Sequence, residues 1–239
     1  MIGAAGFVIP DARDRADALA FVSRTLRIAD NAVTRLRRRD VDHVELWGTT
    51  GFDVLVSRVI AARLDVDDLV CDSATLADAV RSAQQLHSAQ VDPGFPFDSA
   101  WPGALPPRGG TGTGTFTHVD DLPARTVLRL AREGAVLARE ENSGHGPAAA
   151  LLDQPVLSVH DEASAGEVVE IPMRALFALA AMGFVRDTGG GEVTEVSDLQ
   201  LVGEDEPVRV RVAGSWGRID ARYGSVFFRR TAGLSLDVV

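Results

Sequence analysis

Two histidines that each lie close to carboxylates are the residues whose types could support catalysis. His118 is followed by Asp120 and Asp121, and His160 is followed by Asp161 and Glu162. Two histidines and one carboxylate can hold a catalytic metal, and the same groups could act in hydrolysis. However, no HExxH or comparable spacing is present, and Asp121 is also suited to cap a helix. The sequence therefore predicts no metal site, and a hydrolase using these residues is kept as an alternative.

The other candidate motifs are incomplete. The segment 48–51, GTTG, lies between a predicted strand and a predicted helix, where backbone N–H groups can hold an anion, but it lacks the phosphate-loop pattern. Ser215 lies in the segment AGSWG, which does not match the GxSxG pattern of serine hydrolases. Cys71, the only cysteine, is predicted to be a buried thiol at the end of an apolar strand. These motifs predict neither a catalytic group nor a cofactor.

The sequence near the C-terminus predicts an antiparallel β-meander whose two faces differ in chemical character. Val208, Val210 and Val212 alternate with Arg209 and Arg211. Because side chains alternate between the faces of a strand, the valines are expected to face the core and the arginines the opposite side. A shift by one residue would bury two unpaired guanidinium groups, which is strongly unfavourable.

Further charged residues are expected on the arginine-bearing face of this meander. With tight turns at 215–216 and 224–225, Arg209 lies opposite Arg222, and like charges in that position destabilise a sheet. An acidic protein or an anionic small molecule could compensate this charge. A solvated outer face on which Asp220 pairs with an arginine is the alternative. The predicted binding residues are Arg209, Arg211, Asp220, Arg222 and Arg229.

Composition excludes several functions. The chain of 239 residues has a formal net charge of −10, which predicts that it does not bind nucleic acid, because phosphates would be repelled. All 24 basic residues are arginine, which excludes Schiff-base and pyridoxal-phosphate chemistry and indicates a high-GC bacterium. No apolar segment approaches the roughly 20 residues that span a bilayer, so no membrane partner is expected. The single cysteine and the absence of a signal peptide favour a cytoplasmic location.

The first part of the chain is predicted to alternate between helices and strands. Apolar residues at helical spacing predict one amphipathic helix over 11–39 that ends in an arginine cluster. A strand over 44–47, an apolar helix over 52–64, a strand over 69–71 and a helix over 73–86 follow. This order favours a small α/β unit with a crossover connection.

Proline and glycine interrupt both periodicities over residues 89–117, which predicts a connector. Its aromatic residues Phe95, Phe97 and Trp101 are expected to be at least partly buried, because exposed aromatic clusters favour aggregation. Beyond it, the predicted elements are a helix over 121–141, strands over 156–160 and 167–171, a helix over 173–182, and strands over 193–202, 208–213, 218–223 and 226–230.

The predicted fold class is α+β. It comprises a small α/β unit over 1–88, a Pro/Gly/aromatic connector over 89–117, and an α+β unit over 118–239 that ends in the β-meander. The predicted function is non-catalytic: a binding or adaptor protein that uses the Arg-rich sheet face. The alternative is a small-molecule hydrolase with a His/carboxylate site between the two halves. The residue pattern leaves both functions open and predicts no oligomeric state.

Overall fold

The computed structural model describes residues 6–29, 31–107, 115–140, 148–161 and 167–230. Helices and antiparallel sheets occur together in it, which confirms the α+β class. The chain divides into two compact units, Met1–Ala104 (unit 1) and Leu105–Val239 (unit 2). The finer division at residues 88 and 117 stays a prediction. No helix among the described residues is long and apolar enough to cross a bilayer.

Unit 1 is built from two helices and antiparallel strands. Its elements are β1 (Phe7–Val8), α1 (Ala12–Ile28), β2 (Val33–Arg38), β3 (His43–Thr49), β4 (Leu55–Ala61), β5 (Arg63–Leu64), β6 (Asp68–Asp72), α2 (Ser73–Gln85) and β7 (Gln90–Val91). Strands β6, β2, β3 and β4 pair in that order, and β1 pairs with β5 and β7. Helices α1 and α2 pack against each other. Phe21, Leu36, Leu46 and Leu76 are fully buried in this unit.

The predicted helix over 11–39 is wrong in its second half. Helix α1 ends at Ile28, and β2 follows as a strand. Thr34 and Leu36 are buried while Arg35 and Arg37 are half-buried, which is the alternation of a strand. The arginine cluster therefore does not complement a helix dipole. Both arginines form ion pairs with Asp68 on the neighbouring strand β6.

The predicted helix over 52–64 is also wrong, since this segment forms a turn and then β4. The Thr50 hydroxyl donates to the Val54 carbonyl at 3.0 Å and accepts from the Phe52 N–H at 3.3 Å, which closes the turn. Asp53 in the same turn has a φ of 59°. The β-branched residues that follow favour a strand. Because the described strand pairs of unit 1 are antiparallel, its sheet is built without the expected crossover.

Two carboxylates on α1 tie this helix to β4. Asp17 forms an ion pair with Arg58, whose side chain is only 8% exposed. One turn earlier, the Asp14 carboxylate accepts a hydrogen bond of 3.0 Å from the Ala61 N–H. A buried guanidinium needs a carboxylate beside it, because an isolated charge is costly to remove from water. The Asp17–Arg58 pair is therefore a structural element of unit 1.

Residues 97 and 98 of the predicted connector lie against the edge of β6. The Phe97 N–H donates to the Val70 carbonyl at 2.8 Å, and the Asp98 carboxylate accepts from the Val70 N–H at 3.1 Å. Trp101 is half-buried, with the Arg35 guanidinium 5.5 Å from its ring centroid. The predicted burial is wrong for Phe95, which is 85% exposed, and Phe97 is 48% exposed. The Phe97 backbone, the Asp98 carboxylate and Trp101 make these contacts, so the two phenylalanine rings are not needed for them.

Unit 2 carries the predicted C-terminal meander. Its elements are β8 (Thr117–Pro123), α3 (Ala124–Glu140), α4 (Ala149–Asp153), β9 (Pro155–Asp161), β10 (Glu167–Pro172), α5 (Met173–Ala181), β11 (Pro207–Ala213), β12 (Trp216–Ala221) and β13 (Gly224–Arg229). Strands β13, β12, β11 and β8 pair in that order, β9 pairs with β10, and α3 packs on α5. The predicted strands over 156–160 and 167–171 and the predicted helix that begins at 173 are confirmed.

Two predicted elements of unit 2 are wrong. Asp121 does not cap a helix, because it lies within β8 and α3 begins at Ala124. Residues 193–202 form turns and a short 3-10 helix instead of a strand. The backbone at the end of that segment is bound by Arg125, whose Nε and Nη2 atoms donate to the Val202 carbonyl at 2.9 and 2.7 Å. A side chain of α3 thus binds the backbone carbonyl at the end of this segment.

Cys71 is fully buried in β6, as predicted, and its environment sets a pH dependence. Burial raises the pKa of the thiol from 9.0 to about 12. Since the unfolded chain releases this proton first, the thiol's contribution to stability is intact below pH 9 and is lost between about pH 9 and 12. We expect the stability difference between wild type and Cys71→Ala to fall there by up to about 1.4 kcal/mol per pH unit. Urea unfolding of both proteins across this range measures it, and a constant difference would contradict it.

Candidate anion-binding face of the meander

The two faces of the meander are those predicted from the alternation of valine and arginine. Val208 and Val210 are fully buried, as is Ile219, which lies opposite Val210. The first hairpin turn lies at 214–215, one residue earlier than predicted, and Gly214 has a φ of 55° there. Moving the turn by one residue shifts each cross-strand pair by two, which leaves every side chain on its predicted face. The partners across the strands, however, are different.

Asp220 organises the centre of the exposed face. Its carboxylate lies 3.1 Å from the Nε atom of Arg211 and 2.5 Å from that of Arg218. The Ser225 hydroxyl donates to the same carboxylate at 2.5 Å. The like-charge pair on this face is Arg211 opposite Arg218, and Arg209 lies opposite Asp220. One largely buried carboxylate therefore holds two guanidinium groups together.

The remaining predicted arginines have looser or peripheral partners. Arg209 is 3.7 Å from Asp121 on β8, longer than a hydrogen bond. Arg222 lies in the turn between β12 and β13, where its Nε and Nη2 atoms donate to the Glu206 carboxylate at 3.0 and 2.7 Å. Hydrogen bonding and charge from Glu206 raise the pKa of the exposed Arg222 guanidinium. The predicted pairing of Arg209 with Arg222 is therefore wrong.

Arg229 is separated from Asp220 along the meander. Its guanidinium lies 3.8 Å from the ring centroid of Trp216 and donates to the Ser215 hydroxyl at 3.0 Å. In the pairing of β12 with β13, Arg229 is opposite Trp216 and Asp220 is opposite Ser225. Arg229 does not lie opposite Asp220, because the second turn lies at 222–223 rather than at the predicted 224–225.

Arg218 is the residue of this face that the sequence prediction missed. It lies two residues before Asp220 on β12, so alternation places both side chains on the same face. Its guanidinium lies 5.6 and 5.2 Å from the ring centroids of Phe116 and Phe227, which meet edge to face. The sequence prediction missed this arginine because it placed the turns at the wrong residues. The spacing of two residues between Arg218 and Asp220 nevertheless indicates that both lie on the same face.

An open cleft of about 390 Å³ lies on this face. Four of its lining residues are arginines and two are carboxylates, so their formal charge is +2, in a chain whose net charge is −10. Its lining residues are Glu206, Pro207, Arg209, Arg211, Arg218, Asp220, Ala221, Arg222 and Ser225. A concave site with several arginine forks is suited to carboxylate or phosphate groups.

In the described part of the chain, the histidines and carboxylates predicted for hydrolysis do not form a catalytic or metal-binding site. The His118 Nε2 atom lies 2.9 Å from the Asp121 carboxylate, and both side chains are about half exposed on β8. His160 is an exposed residue of β9, and the side chain of Asp161 lies outside the described residues. Among the residues that are described, no three His, Cys, Asp or Glu side chains cluster in a way that could hold a metal ion.

The motif over 48–51 does not form an anion site either. Gly48 lies within β3, and the turn that follows leads into a strand rather than a helix. The Gly51 N–H donates to the carbonyl of Ile28 at 3.1 Å, so it is already bonded within unit 1.

Ser215 accepts a hydrogen bond from Arg229 in a hairpin turn. The structure therefore gives no support to nucleophilic catalysis at Ser215.

The fold of the chain is that of bacterial DNA polymerase sliding clamps. The sliding clamp of Caulobacter crescentus matches with a TM-score of 0.51 at 13% identity, over 96% of this chain and 65% of the clamp. A putative DNA polymerase III beta subunit from Eubacterium rectale matches with a TM-score of 0.54 at 10% identity, over 99% and 67%. The Bacillus subtilis clamp matches with a TM-score of 0.51 at 12% identity, over 96% and 65%. The chain thus spans about two thirds of these proteins.

The chain belongs to the family described as domain of unknown function DUF8185, whose sequence model matches residues 106–233. A second model, domain of unknown function DUF8010, matches residues 3–103. A search of curated protein sequences gave no match.

The prediction that nucleic acid is not a partner is wrong, because the solved proteins that share this fold are DNA polymerase sliding clamps. That prediction rested on the net charge of −10, which averages over the whole molecule. Charge is distributed unevenly here, since the cleft of the meander carries a formal charge of +2. Local charge and shape decide which polyanions a surface accepts.

Proposed function

We propose that this protein is a non-catalytic binding protein, an adaptor with a sliding-clamp fold, that binds an acidic partner at the arginine-bearing face of its meander. The observation that carries the proposal is the cleft on this face, with four arginines and a formal charge of +2 in an acidic chain. An interface of this kind favours partners of opposite charge and raises their association rate.

The arrangement of Asp220 supports binding rather than mere solvation of the arginines. Its carboxylate accepts a hydrogen bond from the Nε atom of Arg218, which fixes the direction of that guanidinium group, and it forms an ion pair with Arg211. Each guanidinium carries five N–H donors, so the terminal nitrogens of both groups offer further donors to an incoming carboxylate. Because Arg218 is held before a partner arrives, little of its side-chain entropy is lost on binding.

The test compares binding of a fluorescent hexaglutamate peptide by wild type and by Arg209→Gln/Arg222→Gln. Both arginines are exposed, so the fold and the thermal midpoint should change little. Affinity at low ionic strength should fall about tenfold or more, because two charge-assisted contacts are removed. Fluorescence anisotropy measures the affinity. Arg139→Gln, which removes an exposed arginine of α3 paired with Glu195, is the matched control and should bind like wild type.

Two outcomes would count against this proposal. If the double variant unfolds, these arginines are structural. If it folds and binds the peptide as tightly as wild type, the face is only solvated.

Action at DNA is a second candidate function, favoured by the similarity in fold to DNA polymerase sliding clamps. If duplex DNA binds, its affinity should fall as salt is added, because contacts with the phosphate backbone release counterions. Anisotropy with a labelled duplex, measured at two ionic strengths, tests this candidate. The double variant of Arg209 and Arg222 then shows whether DNA uses the meander face. Unchanged affinity in that variant would assign DNA to another surface.

A further inference from the structure

The charge of the meander cleft is larger than one carboxylate would neutralise. Its lining arginines exceed its lining carboxylates by two. A glutamate or aspartate side chain supplies a single negative charge, whereas a phosphate monoester carries about −1.5 to −2 at pH 7. A phosphate monoester also presents three acceptor oxygens to the arginine forks. The charge balance therefore favours a dianionic group over a single carboxylate.

The volume of the cleft is compatible with the same class of ligand. About 390 Å³ lies near the lower end of the range for small-molecule sites, roughly 300–1,000 Å³. This space can hold one phosphate-bearing side chain or a small phosphorylated molecule. An extended acidic segment would fit only by placing one or two side chains inside it.

Glu206 occupies the position from which an anion would reach Arg222. Its side chain is only 13% exposed, whereas the Arg222 side chain is 63% exposed. The backbone carbonyl of Glu206 accepts from the Ala124 N–H at 3.1 Å, which fixes this residue at the rim of the cleft. An incoming anion therefore competes with Glu206 for the Arg222 guanidinium. Asp220 meanwhile keeps Arg211 and Arg218 in place.

We infer that the meander cleft is a site for a phosphate monoester, which binds Arg209 and Arg222 by displacing the Glu206 carboxylate from Arg222. This inference rests on the proposed function, since it names the chemistry of the partner at the same face. Arg218, which Asp220 orients, and Arg211, which forms an ion pair with Asp220, complete the site as donors. Glu206 acts as an internal competitor that lowers the affinity of the free cleft.

The inference is tested by isothermal titration calorimetry with three probes: inorganic phosphate, a phosphoserine peptide, and the same peptide with glutamate at that position. The phosphoserine peptide should bind wild type at least tenfold more tightly than the glutamate peptide, because its charge matches that of the cleft. Glu206→Gln should raise its affinity about tenfold by removing the competing carboxylate. Arg209→Gln should lower it by a similar factor, and Arg139→Gln should leave it unchanged.

The outcomes separate this inference from the proposed function. If both peptides bind equally and Arg209→Gln weakens both, the acidic-partner function stands and phosphate selectivity is refuted. If neither peptide nor inorganic phosphate binds, both proposals fail. Tight binding of inorganic phosphate alone would indicate a small phosphorylated ligand. Tight binding of the phosphopeptide alone would indicate a phosphorylated protein. Either result supports a phosphate site in the cleft. If Glu206→Gln lowers stability, Arg209→Gln still tests the inference. Duplex DNA that displaces the phosphopeptide would overturn it.

Discussion

Replacing Asp17 by alanine is expected to lower the free energy of unfolding by about 3–5 kcal/mol, because it leaves a buried charge without its carboxylate. The Arg58 side chain on β4 is 8% exposed and forms an ion pair with Asp17 on α1. The attraction between the two groups offsets the loss of their hydration, but only while both are present. Truncation of one partner therefore lowers the free energy of unfolding by more than the net contribution of the intact pair.

Urea denaturation measures this effect, and two further variants control for it. Asp78→Ala removes an exposed pair with Arg81 on α2 and should change stability by less than about 1 kcal/mol. The double variant Asp17→Leu/Arg58→Met replaces the pair by apolar groups and should recover most of the loss. An effect of Asp17→Ala no larger than that of Asp78→Ala would show that water reaches Arg58.

Gly217→Ala is expected to destabilise the protein by roughly 1–3 kcal/mol, which is the usual effect of overpacking a core. A Cβ atom at Gly217 would lie 2.2 Å from the Phe228 ring, which lies opposite it on β13. Phe228 is almost completely buried, so its ring cannot move without displacing its neighbours. The glycine on β12 is therefore required by the aromatic side chain on the next strand.

The matched control is Gly203→Ala, where the nearest atom would lie 3.6 Å from the new Cβ, an ordinary contact. Chemical denaturation of both variants should show a clear loss for Gly217→Ala and little change for Gly203→Ala. In a double-mutant cycle, Phe228→Leu should cost less when alanine is present at 217, because the smaller side chain relieves the overlap. Additive effects would contradict direct contact between the two positions.

The faces of the meander could be predicted from sequence, whereas the partners on them could not. Alternation has a period of two, so the predicted valine face survived a turn placed one residue too late. Pairing across strands has no such tolerance, and the assignments of Arg218, Arg222 and Arg229 depend on it. The first turn lies at Gly214, which has a positive φ. Glycine adopts this conformation readily, so Gly214 was the sequence signal for the position of the turn.

The errors in unit 1 have a related cause, because helical and strand patterns overlap over short segments. Val33 and Leu36 continue the apolar spacing of α1, although the chain has already left the helix after Ile28. The segment that became β4 carries apolar residues on both faces, with Ser57 and Arg58 among them, so it shows no alternation that could distinguish a strand from a buried helix. Its β-branched residues were the remaining signal.

The contact of residues 97–98 with Val70 has a consequence for self-association. Strand β6 ends the series β6, β2, β3 and β4, so its outer edge would otherwise present backbone groups to which a strand of another molecule could pair. The Phe97 N–H and the Asp98 carboxylate occupy the carbonyl and the N–H of Val70 on that edge. A proteolytic cut that released this segment would uncover the edge beside the exposed Phe95. The cleaved protein should then form β-rich aggregates, which thioflavin fluorescence would detect.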